Sequence, residues 1–434
     1  MANEAATAAI SARSATRLSA VDVVAVILGN ALEFYDFTVY GAFAVMIGQA
    51  FFPADVPGGS LLLSVATFGV GFVTRPLGGI IIGAYADRRG RKAAMTLTIW
   101  LMALGSGMVA ILPGYATIGW AAPALLVVAR LIQGFSAGGE MGPATTYLVE
   151  AAPGRRRAFY GAWQLASQNA GALLSGLFGF LLAEALPKGA LEDWAWRVPF
   201  LIGILIAPVG LRIRNRLDET LDTKTAHDST GAVLSDLFRH HVRPLALGFL
   251  LIPGGTVAQY FLGGYTATYA ITTLHMPTSV AMLGGLTVGV SGAVFSIVGG
   301  MLGDRFGAKA VALWPRVLLT LLIYPAVLLV VRAPSAGMLL GVMALLMALQ
   351  AMSGAMGIVL IPRSLPAAVR TAGLSIAYAL AVTLFGGTAQ VVFTWAIQRT
   401  GDPLSPLWWV IAINIVTILA TLALRPLPDD AGAR

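Results

Sequence analysis

The stretch Gly83-Ala84-Tyr85-Ala86-Asp87-Arg88-Arg89-Gly90-Arg91-Lys92 returns 217 positions later as Gly300-Met301-Leu302-Gly303-Asp304-Arg305-Phe306-Gly307-Ala308-Lys309. Both copies follow a long apolar run, and the offset is half of the 434-residue chain. A second echo pairs Pro153-Gly-Arg-Arg-Arg157 with Pro366-Ala-Ala-Val-Arg370. A repeat of this period predicts two halves of similar structure.

Outward from these junctions, apolar runs alternate with short polar breaks. With 57% hydrophobic and 11% charged residues, the chain lacks the roughly one quarter of charged residues a water-facing surface carries. Its solvent is lipid. At about 20 residues per crossing, the runs predict twelve transmembrane helices, near 20–51, 60–86, 92–113, 119–150, 157–185, 195–216, 242–273, 279–304, 309–331, 335–362, 367–399 and 404–425. The fold class is therefore an all-α membrane protein of two six-helix bundles. Residues 20–216 and 242–425 form the bundles, 217–241 a polar linker, and 1–19 and 426–434 short tails. The first residues lack the apolar core and cleavage site of a signal peptide, so the N-terminal tail is expected to stay in the cytoplasm.

The net charge of +8 is explained by topology. With the N-terminus inside, the inward loops receive most of the arginines and lysines and the outward loops little beyond Lys188, Arg332 and Arg399. That asymmetry predicts both termini in the cytoplasm of a bacterial inner membrane and calls for no nucleic-acid partner. There is no cysteine, and four scattered histidines make no ligand spacing, so neither metal nor redox chemistry is expected. No nucleophile and base pairing or pore-lining repeat is visible, which disfavours an enzyme or a channel.

The repeated junction has a mechanical reading. Its glycines allow close helix approach, and its Asp can face a neighbouring helix N-terminus and a nearby Arg. Gly83, Asp87, Arg88, Arg91, Glu150, Asp304, Arg305 and Arg370 are the expected cytoplasmic gate. With the span count, this signature resembles the major facilitator superfamily. Gly29-Asn30-Ala-Leu-Glu33-Phe-Tyr-Asp36-Phe37, Arg75-Pro76-Leu-Gly78 and Arg130-Leu-Ile-Gln133-Gly134-Phe-Ser-Ala-Gly138-Gly139-Glu140 resemble its metabolite:proton symporter family. Trp163-Gln164, Ser167-Gln168, Val369-Arg370-Thr-Ala-Gly373 and Phe385-Gly386-Gly387 look most like that family's citrate and tricarballylate symporters. The resemblance implies import of citrate, 2-oxoglutarate, shikimate, aromatic acids or zwitterionic osmolytes with protons. One departure is Arg363, where relatives are expected to carry an acid matching Glu150.

Ionisable residues at lipid depth are costly and usually face a cavity. Glu33, Asp36, Arg75, Arg130 and Glu140 fall inside spans 1, 2 and 4. From Arg243 to Arg425 the only carboxylates are Asp304 and Asp402, at loop positions. A protonated carboxylate driving transport must therefore be Glu33, Asp36 or Glu140. Arg75 near the midplane is the expected carboxylate partner, and Arg130 in the outer half is a charge partner. That some of these charges merely brace spans 1, 2 and 4 stays open. Neutral donors come from Asn30, Gln164, Gln168, Tyr265, Tyr269 and Tyr378, with membrane anchoring as the alternative role for the tyrosines. Arg316, about five residues into span 9, can snorkel to the cytoplasmic surface, with a binding role as the alternative.

The sequence thus predicts a monomeric symporter of a small organic anion, a di- or tricarboxylate, that works by alternating access in the bilayer. The alternative cargo is an aromatic acid or zwitterionic osmolyte such as shikimate, protocatechuate, betaine or proline. No cofactor is expected; the coupling ion is a proton, with sodium left open.

Overall fold

The computed structural model of the chain describes residues 20–53, 59–89, 91–138, 156–187, 189–204, 230–366 and 369–424, with Leu148, Ala152 and Pro208. Lipid offers backbone amides no partners, so each apolar run satisfies its own N–H and C=O groups as a helix. The first half holds span 1 (Ala20–Ala42, continued by Ala44–Phe51), span 2 (Gly59–Val73 and Arg75–Arg89), span 3 (Arg91–Ile111), span 4 (Ala121–Gly138) and span 5 (Arg157–Ala185). Span 6 is described over Ala195–Ile204. The second half holds span 7 (Val242–Gln259, a π-helical turn Tyr260–Gly264, then Thr266–Thr272), span 8 (Thr278–Phe306), span 9 (Ala308–Arg332) and span 10 (Ala336–Leu360). It closes with span 11 (Arg370–Ala381, a π-helical turn Val382–Gly386, then Gly387–Thr400) and span 12 (Ser405–Ala423). Among the described residues, nine helices are long and apolar enough to cross a membrane, and Thr96–Ile111 and Ala195–Ile204 are shorter apolar helices.

The stretch expected to be a linker contains a helix, Thr230–His240, whose Leu237 is fully buried against the second half. The two π-helical turns widen spans 7 and 11 in mid-membrane. Such turns recur at functional sites because they detach backbone groups from the regular ladder. Here Tyr260, Gly263, Gly264 and Val382 from these turns line the central space between the halves.

The halves meet mainly through spans 5 and 8, whose axes approach closely along their length. Without a hydrophobic drive between helices in lipid, such contacts depend on small residues. Gly176 meets the backbone of span 8 so tightly that a Cβ would lie 2.2 Å from the Leu286 nitrogen. Gly176→Ala is expected to lower the thermal unfolding midpoint of the detergent-solubilised protein by several degrees. Gly337→Ala, where no atom lies within 4 Å, is expected to leave it unchanged.

Candidate substrate cavity and its buried charges

A cavity of about 100 Å³ lies between the halves. Its walls come from spans 1, 2 and 5 on one side (Phe34, Phe37, Phe68, Gln168) and spans 7, 9, 10 and 11 on the other (Gln259, Tyr260, Arg316, Gln350, Tyr378). Toward the end remote from the repeated Asp-Arg loops the halves are closed. There a Cβ on Gly69 of span 2 would lie 2.2 Å from the carbonyl oxygen of Gly387 in span 11, and Thr383 Oγ1 donates to the Phe72 carbonyl at 3.1 Å. Phe68, Phe72 and Tyr260 interlock edge to face just inside this contact.

Of the expected substrate residues, Gln168 and Tyr378 line the cavity and the others do not. Asn30 and Gln164 are joined to each other: Asn30 Nδ2 donates to the Gln164 carbonyl at 3.1 Å and to Ser167 Oγ at 2.6 Å, and Gln164 Nε2 donates to Asn30 Oδ1 at 3.1 Å. This arrangement ties span 1 to span 5. Tyr265 accepts from Thr394 and stacks among Phe261, Phe393 and Tyr269, while Tyr269 donates to the Pro403 carbonyl. Both tyrosines are 1% exposed and belong to the packed core of the second half.

Arg75 is also withdrawn from the cavity. Its guanidinium sits between Phe72, 4.0 Å from the ring centre, and Phe37 at 4.4 Å. Arg130, fully buried, lies over Tyr40 at 4.4 Å and Phe37 at 4.9 Å. Its Nη1 donates to Gln133 Oε1 at 2.6 Å, and Gln133 Nε2 donates to Ser106 Oγ at 2.9 Å. Asp36 of span 1 is buried in the same half, 4% exposed, and its Oδ1 has no hydrogen-bond partner. A hydrogen-bonded chain Ser106–Gln133–Arg130 thus joins spans 3 and 4 behind the wall made by Phe37 and Phe68. The side chains of Glu33, Gly83, Asp87, Arg88, Arg91 and Arg370, and residues Glu140 and Glu150, lie outside the described ones.

Arg316 departs most from its sequence reading. It does not reach the surface: it is 3% exposed and lines the cavity. Its Nε donates to Ser353 Oγ at 3.0 Å, and its Nη1 donates to Gln350 Oε1 at 2.6 Å and to Asn414 Oδ1 at 3.1 Å. Three acceptors on spans 10 and 12 convert a side chain that would snorkel from an isolated helix into a fixed interior cation. The signal was in the repeat: Gln133-Gly-Phe-Ser136 in span 4 returns at the same 217-residue offset as Gln350-Ala-Met-Ser353 in span 10. Each serine donates to a carbonyl of the preceding span, Ser136 to Thr98 and Ser353 to Ala312. Each glutamine accepts from an arginine at 2.6 Å. The seat is repeated, but the arginine reaches it from span 4 in one half and from span 9 in the other.

At the loop end, Asp304 accepts from the backbone N–H groups of Ala158 at 2.9 Å and Phe159 at 3.1 Å. A carboxylate of span 8 therefore caps the N-terminus of span 5 across the two halves, a favourable placement for negative charge. Arg305 places its guanidinium over the ring of Phe306, 5.2 Å from its centre.

Two helical bundles sharing a central cavity with a few polar groups in its wall, closed at one end and latched across the halves at the other, define a membrane transporter. The chain belongs to the Major Facilitator Superfamily, whose family model matches residues 26–387. It is 37% identical over 401 residues to the citrate-proton symporter of Klebsiella pneumoniae, covering 92% of this chain and 90% of that protein. It is 34% identical over 420 residues to the alpha-ketoglutarate permease of Escherichia coli strain K12, covering 95% of each. A crystal structure of a D-xylose-proton symporter shares the fold with a TM-score of 0.74 at 21% identity, over 95% of this chain and 98% of that one.

The closed end carries an unresolved polar cost. Gln390 of span 11 is fully buried, with neither amide atom hydrogen-bonded, close against Gly41 and Gly264. A buried unpaired amide costs about 1–3 kcal/mol. Gln390→Met is therefore expected to stabilise this closed arrangement, raising the thermal midpoint while slowing transport, as measured in proteoliposomes.

Proposed function

We propose that this chain imports a small organic anion of the di- or tricarboxylate type by proton symport, through alternating access across a bacterial inner membrane. The observation that carries the anion is Arg316, the one charged residue lining the cavity among the described residues. The two carboxylates of its half do not neutralise it: Asp304 caps span 5 at the loop end, and Asp402 lies in the loop between spans 11 and 12. A buried cation without an anionic partner costs several kcal/mol, and a carboxylate cargo supplies the missing charge. The curated relatives carry citrate and alpha-ketoglutarate in their names, which fits this class of cargo.

The basic loops at the Asp-Arg end put that end and both termini in the cytoplasm, so the closed face is the extracellular one. The cavity lies within one chain, and the working unit is a monomer.

Proton coupling belongs to the first half, on Glu33, Asp36 or Glu140. Asp36 is favoured because it is buried, with Oδ1 lacking a hydrogen-bond partner, in the half that also buries Arg130. A rearrangement that moves Arg130 away from Asp36 loads the proton, and its return releases it. In this scheme cargo and proton occupy different halves, separated by the Phe37 and Phe68 wall.

Uptake of radiolabelled citrate into proteoliposomes, in sodium-free buffer with an imposed pH gradient, tests the reading. Gradient-driven accumulation is expected, and flux indifferent to the gradient would reject symport. Asp36→Asn is expected to abolish accumulation while retaining citrate exchange under equal pH on both sides. Accumulation undiminished in Asp36→Asn would move the proton to Glu33 or Glu140.

A further inference from the structure

Resting on the reading of an organic-anion cavity, we propose that the cargo is a hydroxy-carboxylate, held with one carboxylate on Arg316 Nη2 and its hydroxyl on Gln259 Oε1. Two groups of opposite hydrogen-bonding character, in side chains that line the same cavity, carry this assignment.

A guanidinium has five N–H donors. In Arg316, the Nε donor goes to Ser353 and the two on Nη1 go to Gln350 and Asn414. These acceptors are themselves fixed. Ser353 donates to the Ala312 carbonyl, Gln350 Nε2 donates to the Gly255 carbonyl at 2.7 Å, and Asn414 Nδ2 donates to the Val410 carbonyl at 2.8 Å. The guanidinium is locked in one orientation by neutral groups, and both donors of Nη2 have no partner among the described residues. The side chain lines the cavity, so these two donors can make charge-assisted hydrogen bonds to a carboxylate oxygen.

Gln259 presents the complementary need. Asn169 Nδ2 donates to the Leu165 carbonyl at 2.9 Å, which turns Asn169 Oδ1 outward as an acceptor. Gln259 Nε2 meets that acceptor at 2.9 Å. Its Oε1 is therefore the other end of the amide, buried without a hydrogen-bond donor in a side chain that lines the cavity. A carboxylate has no hydrogen to offer it, whereas a hydroxyl does.

Gly255 and Gln259 lie one turn apart on span 7, about 6 Å along the axis at 1.5 Å per residue. A Cβ on Gly255 would lie 3.3 Å from Arg316 Nη2. The absent side chain leaves the free edge of Arg316 reachable, and the one-turn separation suits two substituents on a short carbon skeleton. A buried polar group left unpaired by the wrong ligand discriminates more strongly than a missing apolar contact, so the hydroxyl is a selectivity element.

Citrate and tricarballylate differ only in the hydroxyl, so calorimetric titration of both into the purified protein tests the assignment. Wild type is expected to bind citrate at least about tenfold more tightly, roughly the free energy of one well-made hydrogen bond. Gln259→Met is expected to erase that preference, and Arg316→Gln to weaken both acids at least about tenfold. Because Arg316→Gln disturbs a buried network, Gly255→Ala serves as a second probe. It keeps every Arg316 partner, places a helix-favouring residue in span 7, and crowds Nη2; it is expected to weaken both acids in the same sense. Wild-type affinity for both acids in Arg316→Gln or Gly255→Ala overturns the anchor. Equal binding of citrate and tricarballylate by wild type overturns the hydroxyl contact. If wild type accumulates citrate with the proton gradient while these variants bind normally, only this assignment falls. If wild type binds neither acid, the organic-anion reading falls with it.

Discussion

A guanidinium buried in a bundle that lipid surrounds needs acceptors fixed by the fold, because neither water nor hydrocarbon will supply them. Two arginines in this chain meet that need on the same device. A glutamine one turn before a serine, on span 4 and again on span 10, accepts the guanidinium, while the serine ties its helix to the preceding span. Seating Arg130 and Arg316 in this way fixes how spans 3 and 4, and spans 9, 10 and 12, lie against one another. Those positions shape the cavity.

The two seats carry different consequences because their surroundings differ. Arg130 is enclosed by the rings of Phe37, Tyr40 and Phe68, in the half that also buries Asp36. Arg316 has only neutral partners and faces open space. One seat is thus closed off by aromatic rings, and the other holds a cation open to the cavity. Such a division allows cargo and proton to act on separate halves of one rocking body, where closure around the cavity is the shared element.

The closed end and the loop end differ in chemistry as well. Asp304 capping span 5 is a charge-assisted contact between the halves. The far end is shut by backbone against backbone at Gly69 and Gly387, beside an amide with no partner in Gln390. A contact formed from close packing and one unsatisfied group is easily exchanged for an open state, since opening restores the amide to water. Bistability of this kind is what packed interfaces contribute to switching.

Much of the architecture was written in the linear chain. Hydropathy fixed the helices because lipid leaves a backbone no alternative, and the Asp-Arg echo separated the halves and pointed to Asp304 at a junction between them. The cavity wall was only partly legible: Gln168 and Tyr378 were found, while Asn30, Gln164, Tyr265 and Tyr269 bond to neighbouring helices instead. Residue type and depth identify a polar group that needs a partner, but not which neighbour supplies it. Arg75 and Arg316 make the same point in opposite directions, one expected in the cavity and buried between rings, the other able to snorkel to the surface and held inside. One-dimensional order determined the number, direction and repetition of the helices through local hydrogen bonding and water-lipid partition. Only the three-dimensional packing decided which arginine faces the cavity, because that depends on acceptors from spans 10 and 12, as many as 98 residues from Arg316.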